Sequence, residues 1–217
     1  MEFNEAQQKI INNIFGAYII SAPVGTGKTT VLTERVIKAL DSGIKPGEIL
    51  CLTFTNRAAE EMMNRIKKRI KSKEIIDNLT IKTFHGFCAY FIKSEAKKIC
   101  INFDFVVFDE TEQVEIMKNI LLDYPELIIE GKNEKYQIFD LIDKLYRYRL
   151  NKLEQEIGCV VKSRHLDSDL MEINKKYLQT LKDQNALDFN ELVLLTIRSL
   201  YLDKKLRNKW SKRYKFI

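Results

Sequence analysis

Ala22-Pro23-Val24-Gly25-Thr26-Gly27-Lys28-Thr29 decides how this chain is read. Glycines at 25 and 27 let the backbone curl until its N–H groups converge on phosphate oxygens. A lysine directly after the second glycine can neutralise β- and γ-phosphates, and the threonine beside it can offer a hydroxyl to Mg²⁺. Where such a turn opens a helix, the dipole end of that helix favours the same anion. The stretch therefore fits the Walker A pattern, with alanine in the first place where glycine is also common. Ala22, Pro23, Val24, Gly25, Thr26, Gly27, Lys28, Thr29 and the following Thr30 become the ATP-binding candidates. Lys28 and Thr29 are the candidates for chemistry, Thr29 as a partial Mg²⁺ ligand. A glycine-rich turn without a ligand is the bland alternative. It is outweighed by the setting, an apolar run before the turn and a helical pattern after it.

Working outward, Tyr18-Ile19-Ile20-Ser21-Ala22 predicts a short buried strand. Thr29 to Leu40 predicts a helix with Val31, Leu32, Val36, Ile37 and Leu40 on one face, stopped near Asp41-Ser42-Gly43. Ile49 to Phe54 and Leu79 to Thr83 predict further strands, followed by helices over Arg57–Lys71 and Phe84–Lys97. Strand and helix alternating in this way imply parallel strands joined by crossover helices. After Phe108 the pattern becomes helical, over Glu112–Leu122, Tyr136–Leu150 and Asp169–Leu181. The expected organisation is an α/β domain over residues 1–108, a helical insertion over 109–185 and a return to the first domain over 186–217.

Composition narrows the setting. With 3 prolines and 8 glycines in 217 residues, long regular elements are expected rather than a disordered chain. The net charge of +6 and a pI near 9.0 favour a polyanionic partner, although charge alone does not identify one. Cys51, Cys88, Cys100 and Cys159 form no C-x-x-C pair and have no histidine at metal-ligand spacing, so reduced thiols are expected. With no apolar signal segment and no apolar run of membrane-spanning length, a cytoplasmic protein without a membrane partner is expected.

Further segments carry a family resemblance. Phe3-Asn4-Glu5-Ala6-Gln7 resembles the Q motif of UvrD/PcrA/Rep-type superfamily 1 DNA helicases, and Thr53-Phe54-Thr55-Asn56-Arg57-Ala58-Ala59 their motif Ia, with Arg57 where lysine is usual. Thr83-Phe84-His85-Gly86-Phe87-Cys88 resembles motif Ib, with Gly86 where serine is common. Residues 103–113 resemble the entry to the family's helical domain 1B, and Asn185 to Leu192 its return to domain 1A. The resemblance implies a RecA-like P-loop NTPase sheet, incomplete here, with an all-helical inserted subdomain. It also implies that Gln7 reads adenine, and that Thr53, Phe54, Thr55, Asn56, Arg57, Thr83 and His85 meet DNA. Phe54 is suited to stack on a base, while its polar neighbours suit phosphate and sugar.

By the same resemblance the parent protein would be an ATP- and Mg²⁺-dependent motor acting on single-stranded and duplex DNA. Tyr214-Lys215-Phe216-Ile217 looks like the start of the strand that carries the Walker B acids in the family. The expectation is a chain that binds Mg-ATP weakly and neither hydrolyses it usefully nor unwinds DNA. It would depend on the remainder of the helicase, the Walker B strand and second motor domain, in cis or in trans.

Two alternatives stay open. The chain could be a non-catalytic module of a split helicase, binding DNA or a partner. Phe105-Val106-Val107-Phe108-Asp109-Glu110 is also an apolar strand ending in two acids, so Asp109 and Glu110 could make a compact NTPase. The basic runs at 65–73 and 204–215 read first as solvated faces and second as nucleic-acid contacts.

Overall fold

A computed structural model describes residues 2–23 and 25–217. Packing divides it into two compact units, one made of residues up to Phe87 together with Lys205–Ile217, the other of Cys88–Lys204.

In the first unit, helix α1 (Glu5–Asn12) begins at a capping box. The Asn4 side chain accepts from Gln7 N, and the Gln7 side chain accepts from Asn4 N. Helix α2 (Lys28–Asp41) follows the glycine turn and buries Val31, Val36 and Ala39. Strand β1 (Leu50–Thr53), helix α3 (Asn56–Arg69), helix α4 (Lys73–Asn78) and strand β2 (Thr80–Thr83) come next. The two strands pair in parallel with Leu50 opposite Thr80 and Thr53 opposite Thr83. Helix α5 (Phe84–Glu95) starts directly at the end of β2.

On the other side of β1, Phe216 forms a parallel bridge with Ile49, and its carbonyl accepts from Leu50 N at 2.9 Å. The order across this edge is therefore Phe216, β1, β2. Ile49, Met62, Ile66, Ile76, Leu79 and Phe216 close the core with Val36 and Ala39.

The strand predicted over Tyr18–Ala22 is absent: the run pairs with nothing among the described residues. Ile19 is 100% exposed and Tyr18 51% exposed. A strand exists through its ladder, and a buried strand must satisfy every N–H and C=O. Here no neighbour offers its backbone, so the apolar side chains that suggested burial face outward.

The second unit holds most of α5, strand β3 (Val106–Phe108), and helices α6 (Glu110–Leu121), α7 (Glu134–Glu156) and α8 (Ser168–Asp183). Strand β4 (Ala186–Asp188) and helix α9 (Phe189–Leu202) complete it. Met117, Ile138, Ile142, Leu145, Ile173, Tyr177 and Leu181 form its core. Helix α7 runs past its expected end at Leu150 because Leu153 is still buried.

β3 and β4 pair in parallel, with Val106 opposite Ala186 and Phe108 opposite Asp188. That pairing keeps both strands with the helices. The packing divides at 87/88 and 204/205.

A buried polar group ties this unit together. Tyr177 OH donates to Asp188 Oδ2 at 2.7 Å, and Asp188 Oδ1 accepts from Glu191 N at 2.7 Å, capping α9. Arg149 on α7 donates to Asn174 Oδ1 at 2.8 Å. Its Nε lies 3.0 Å from Glu191 Oε1, an ion pair not aligned as a hydrogen bond. Burial pushes the Glu191 carboxyl above its ordinary range, against the pull of Arg149. Among the described residues no helix is long and apolar enough to cross a membrane.

Candidate nucleotide and nucleic-acid site

The glycine turn has the backbone its composition implies. Gly25 sits at φ +84° and Gly27 at φ +81°, left-handed values that side-chain-bearing residues adopt only with strain. Gly27 is the residue from which α2 starts, so Lys28 and Thr29 lie in its first turn with free N–H groups around them. The Lys28 ammonium donates to the carbonyls of Ala22 (2.6 Å) and Pro23 (2.7 Å). Thr26 Oγ1 donates to Pro23 O at 2.8 Å. Val24 falls outside the described residues.

The Q-motif glutamine is brought to this turn. Gln7 Nε2 donates to Thr26 O at 3.2 Å while Gln7 Oε1 accepts from Asn4 N at 3.1 Å, so both ends of its amide are engaged. A cavity of about 450 Å³ opens beside it, lined by Asn4, Gln7, Ile20, Ala22, Thr26 and Lys28 among others. Its volume falls within the range of small-molecule sites, and its walls combine apolar surface with a few polar groups.

Two arginines fix this corner; the sequence reading passed over Arg35 and took Arg65 only as part of a basic, solvated face. Arg35, on the buried side of α2, donates to the carbonyls of Ile10 and Asn13 where α1 ends. Arg65 on α3 donates to Thr30 Oγ1, so the hydroxyl of that ATP-binding candidate is already held by a protein partner. The signal for Arg35 was present: a cation at a position where the periodicity of α2 demands an inward side chain must have found acceptors.

The nucleic-acid candidates converge as well. Thr53 and Thr83 are register partners, so the loop after β1 and the start of α5 leave the same edge of the pair. Ligands of open parallel sheets bind at that carboxyl edge. Phe54 is 91% exposed and leans on Phe84, with ring centroids 5.4 Å apart at 42°. Thr55 caps α3 through Ala58 N at 3.1 Å, Thr53 Oγ1 donates to Thr55 O at 3.0 Å, and Asn56 and Arg57 are exposed.

Thr83 Oγ1 accepts from Gly86 N at 3.0 Å, and His85 is exposed one residue earlier. A Cβ at Gly86 would stand 3.0 Å from Thr83 Oγ1, tighter than ordinary contact. Glycine in place of the family's serine thus suits this cap.

Asp109 has a structural task. It caps α6, with Oδ1 accepting from Thr111 N (2.6 Å) and Glu112 N (3.4 Å) while Glu112 Oε2 accepts from Asp109 N (2.8 Å). Hydrogen bonding with Glu112, then with the Thr111 amide, holds its carboxyl below the usual range. It belongs to the unit of β3 and β4, whereas the glycine turn belongs to the other. Among the described residues no group of three or more metal-capable side chains occurs.

Comparison with known proteins closes the question of kinship. The model of the UvrD/REP helicase N-terminal domain matches residues 3–217. The chain belongs to that family. ATP-dependent DNA helicase Rep of Buchnera aphidicola subsp. Schizaphis graminum is 28% identical over 221 residues, covering 100% of this chain and 32% of that protein. ATP-dependent DNA helicase PcrA of Staphylococcus aureus is 28% identical over 200 residues, covering 89% of this chain and 26% of that protein. A second Rep, from Buchnera aphidicola subsp. Baizongia pistaciae, is 28% identical over 218 residues and is covered over 31% of its length. The chain thus spans about a third of the Rep relatives and about a quarter of PcrA.

Proposed function

We propose that this chain is the ATP- and single-stranded-DNA-binding N-terminal portion of an ATP-dependent DNA helicase. The observation that carries the reading is the turn at Gly25 and Gly27, both left-handed, leading into α2 with Lys28 in its first turn. The residues present fit Mg-ATP. Backbone N–H groups at the start of α2 and the Lys28 ammonium would meet phosphate oxygens, Lys28 exchanging the carbonyls of Ala22 and Pro23 for them. The Thr29 hydroxyl would face Mg²⁺, and Gln7 would turn its amide from Thr26 and Asn4 to the adenine edge. Bound Mg²⁺ supplies charge neutralisation at the phosphates. Phe54, the loop after β1 and the first turn of α5 would hold DNA.

We further propose that residues 1–108 and 186–217 belong to the family's domain 1A and 109–185 to domain 1B. The pairing of β3 with β4, which brings the two ends of the helical segment together, supports an insertion. The portion is inactive alone. The unpaired run at 18–22 and the exposure of Ile19 support a sheet that further strands complete, in cis or in trans. The engagement of Asp109 in capping α6 argues against a compact NTPase built on Asp109 and Glu110.

ATP hydrolysis with and without single-stranded DNA, beside Lys28→Ala and Asp109→Ala, tests this. The expected result is Mg-ATP binding that weakens at least about tenfold in Lys28→Ala, a loss of roughly 1.4 kcal/mol, with no turnover above that variant. Turnover that requires Lys28 and vanishes in Asp109→Ala would overturn it.

A further inference from the structure

The excess positive charge of this protein is concentrated on one helix. Helix α10 (Lys204–Arg213), of sequence KKLRNKWSKR, carries six basic residues and no acid. The chain as a whole has 36 basic and 30 acidic residues, so outside α10 the two kinds balance. Leu206 (0% exposed) and Trp210 (5%) make the inward stripe of the helix. Lys205, Lys209 and Lys212 recur at i, i+4 and i+7 on the outward side, and all three are exposed. Their stripe is about 10 Å long, the axial length of roughly three nucleotides of one strand. Like charges at this spacing repel, which destabilises an isolated helix and favours an anionic partner.

The helix is also fastened to the segment that begins with the motif Ib loop. Trp210 meets Phe87 edge-on, with ring centroids 5.8 Å apart at 85°, and Tyr214 meets the same ring at 6.1 Å. Tyr214 OH lies 3.3 Å from Thr80 Oγ1 in β2. Phe87 is two residues from His85, so the basic face and the proposed DNA loop share one support.

We propose that the outward face of α10 binds the phosphate backbone of single-stranded DNA, as a contact additional to residues 53–57 and 83–85. The inference rests on the DNA-binding reading above. The chemistry favours phosphate over other polyanions. Lysine is a point charge suited to phosphate but is depleted from protein–protein interfaces. The apolar side of α10 is already buried against the protein, so the helix has nothing to insert into a bilayer.

The test measures affinity for a fluorescent 20-nucleotide oligo-dT across a salt series, for wild type and for Lys205→Gln/Lys209→Gln/Lys212→Gln. Release of about 0.7 counterion per phosphate predicts that the variant's log–log salt slope is shallower by about 2. Its circular dichroism and Mg-ATP affinity should match wild type. A control, Lys67→Gln/Lys68→Gln/Lys71→Gln, removes equal charge from the end of α3 and its following turn. Equal loss in both variants would make the effect one of net charge and overturn the site. A wild-type complex that needs Phe54 but keeps its slope in the α10 variant would overturn this inference alone. Binding of Mg-ATP without any DNA binding would overturn the DNA reading and this inference with it. Stronger α10-dependent binding to phosphatidylserine vesicles than to DNA would overturn nucleic acid as the occupant.

Discussion

Replacing Tyr177 with phenylalanine removes one oxygen from the centre of the helical unit. Tyr177 is 1% exposed and Asp188 is fully buried, and the tyrosine O–H is the donor to Asp188 Oδ2 at 2.7 Å. The other carboxylate oxygen is held by Glu191 N, so the variant strands Oδ2 without a partner. An unsatisfied buried acceptor costs about 1–3 kcal/mol, and a charged one lies at the upper end, so about 2–3 kcal/mol is expected. For a domain of this size that corresponds to roughly 5–10 °C in melting temperature.

The assay is thermal unfolding by circular dichroism, repeated in an Asp188→Asn background. Asparagine keeps a capping oxygen for α9 but carries no charge, so there the tyrosine loss should fall to about 1 kcal/mol. Burial, then the charge of Asp188, pushes the Tyr177 hydroxyl above its ordinary range. A group raised on folding stabilises fully below its unfolded value. The penalty for Tyr177→Phe should therefore stay constant with pH until about 10 and shrink only above it. A cost under about 0.5 kcal/mol, or the same cost in both backgrounds, would refute the reasoning.

Three further outcomes are expected. Phe54→Ala should weaken oligo-dT binding by about 1–3 kcal/mol for the one stacked base, roughly 5- to 150-fold, in a filter-binding titration; an unchanged affinity removes Phe54 from the interface. Desolvation pushes the Cys51 thiol up to about 12, whereas Cys100 and Cys159 are exposed. Mass spectrometry of briefly alkylated native protein should find label on Cys100 and Cys159 before Cys51, and equal labelling would contradict that burial. Asp109→Ala should lower the melting temperature at neutral pH without altering Mg-ATP binding. Because its carboxyl is depressed, the stabilisation exists above the ordinary aspartate range and fades as pH falls through the lowered value, so melts in strong acid should coincide.

The parts of the fold that depend on neighbours in sequence were legible. Helices α2, α3, α5, α6 and α8 begin and end within a few residues of their periodicity, and the paired strands β1 and β2 lie where β-branched and apolar residues cluster. The run at 18–22 misled because apolarity predicts burial only where a partner strand exists, and pairing is a property of distant chain. The partner of β3 was illegible for the same reason: β3 looks like any short strand until β4, far along the chain, claims it. At the site, the glycine spacing made the left-handed turn legible. The N-x-x-Q spacing of Asn4 and Gln7 marks a capping box, but the bonds from Gln7 to Thr26 and from Arg65 to Thr30 cross the fold and leave no spacing pattern.

Arg35 gives the cavity beside the glycine turn a particular character. Its guanidinium grips the carbonyls of Ile10 and Asn13, fastening the end of the helix that carries Gln7 to the helix that carries Lys28. Gln7 adds a second tie, to Thr26 in the turn, and it is the one that ligand entry would break. Because the arginine clasp uses neither Gln7 nor Lys28, the two helices stay riveted at that point while those side chains change partners.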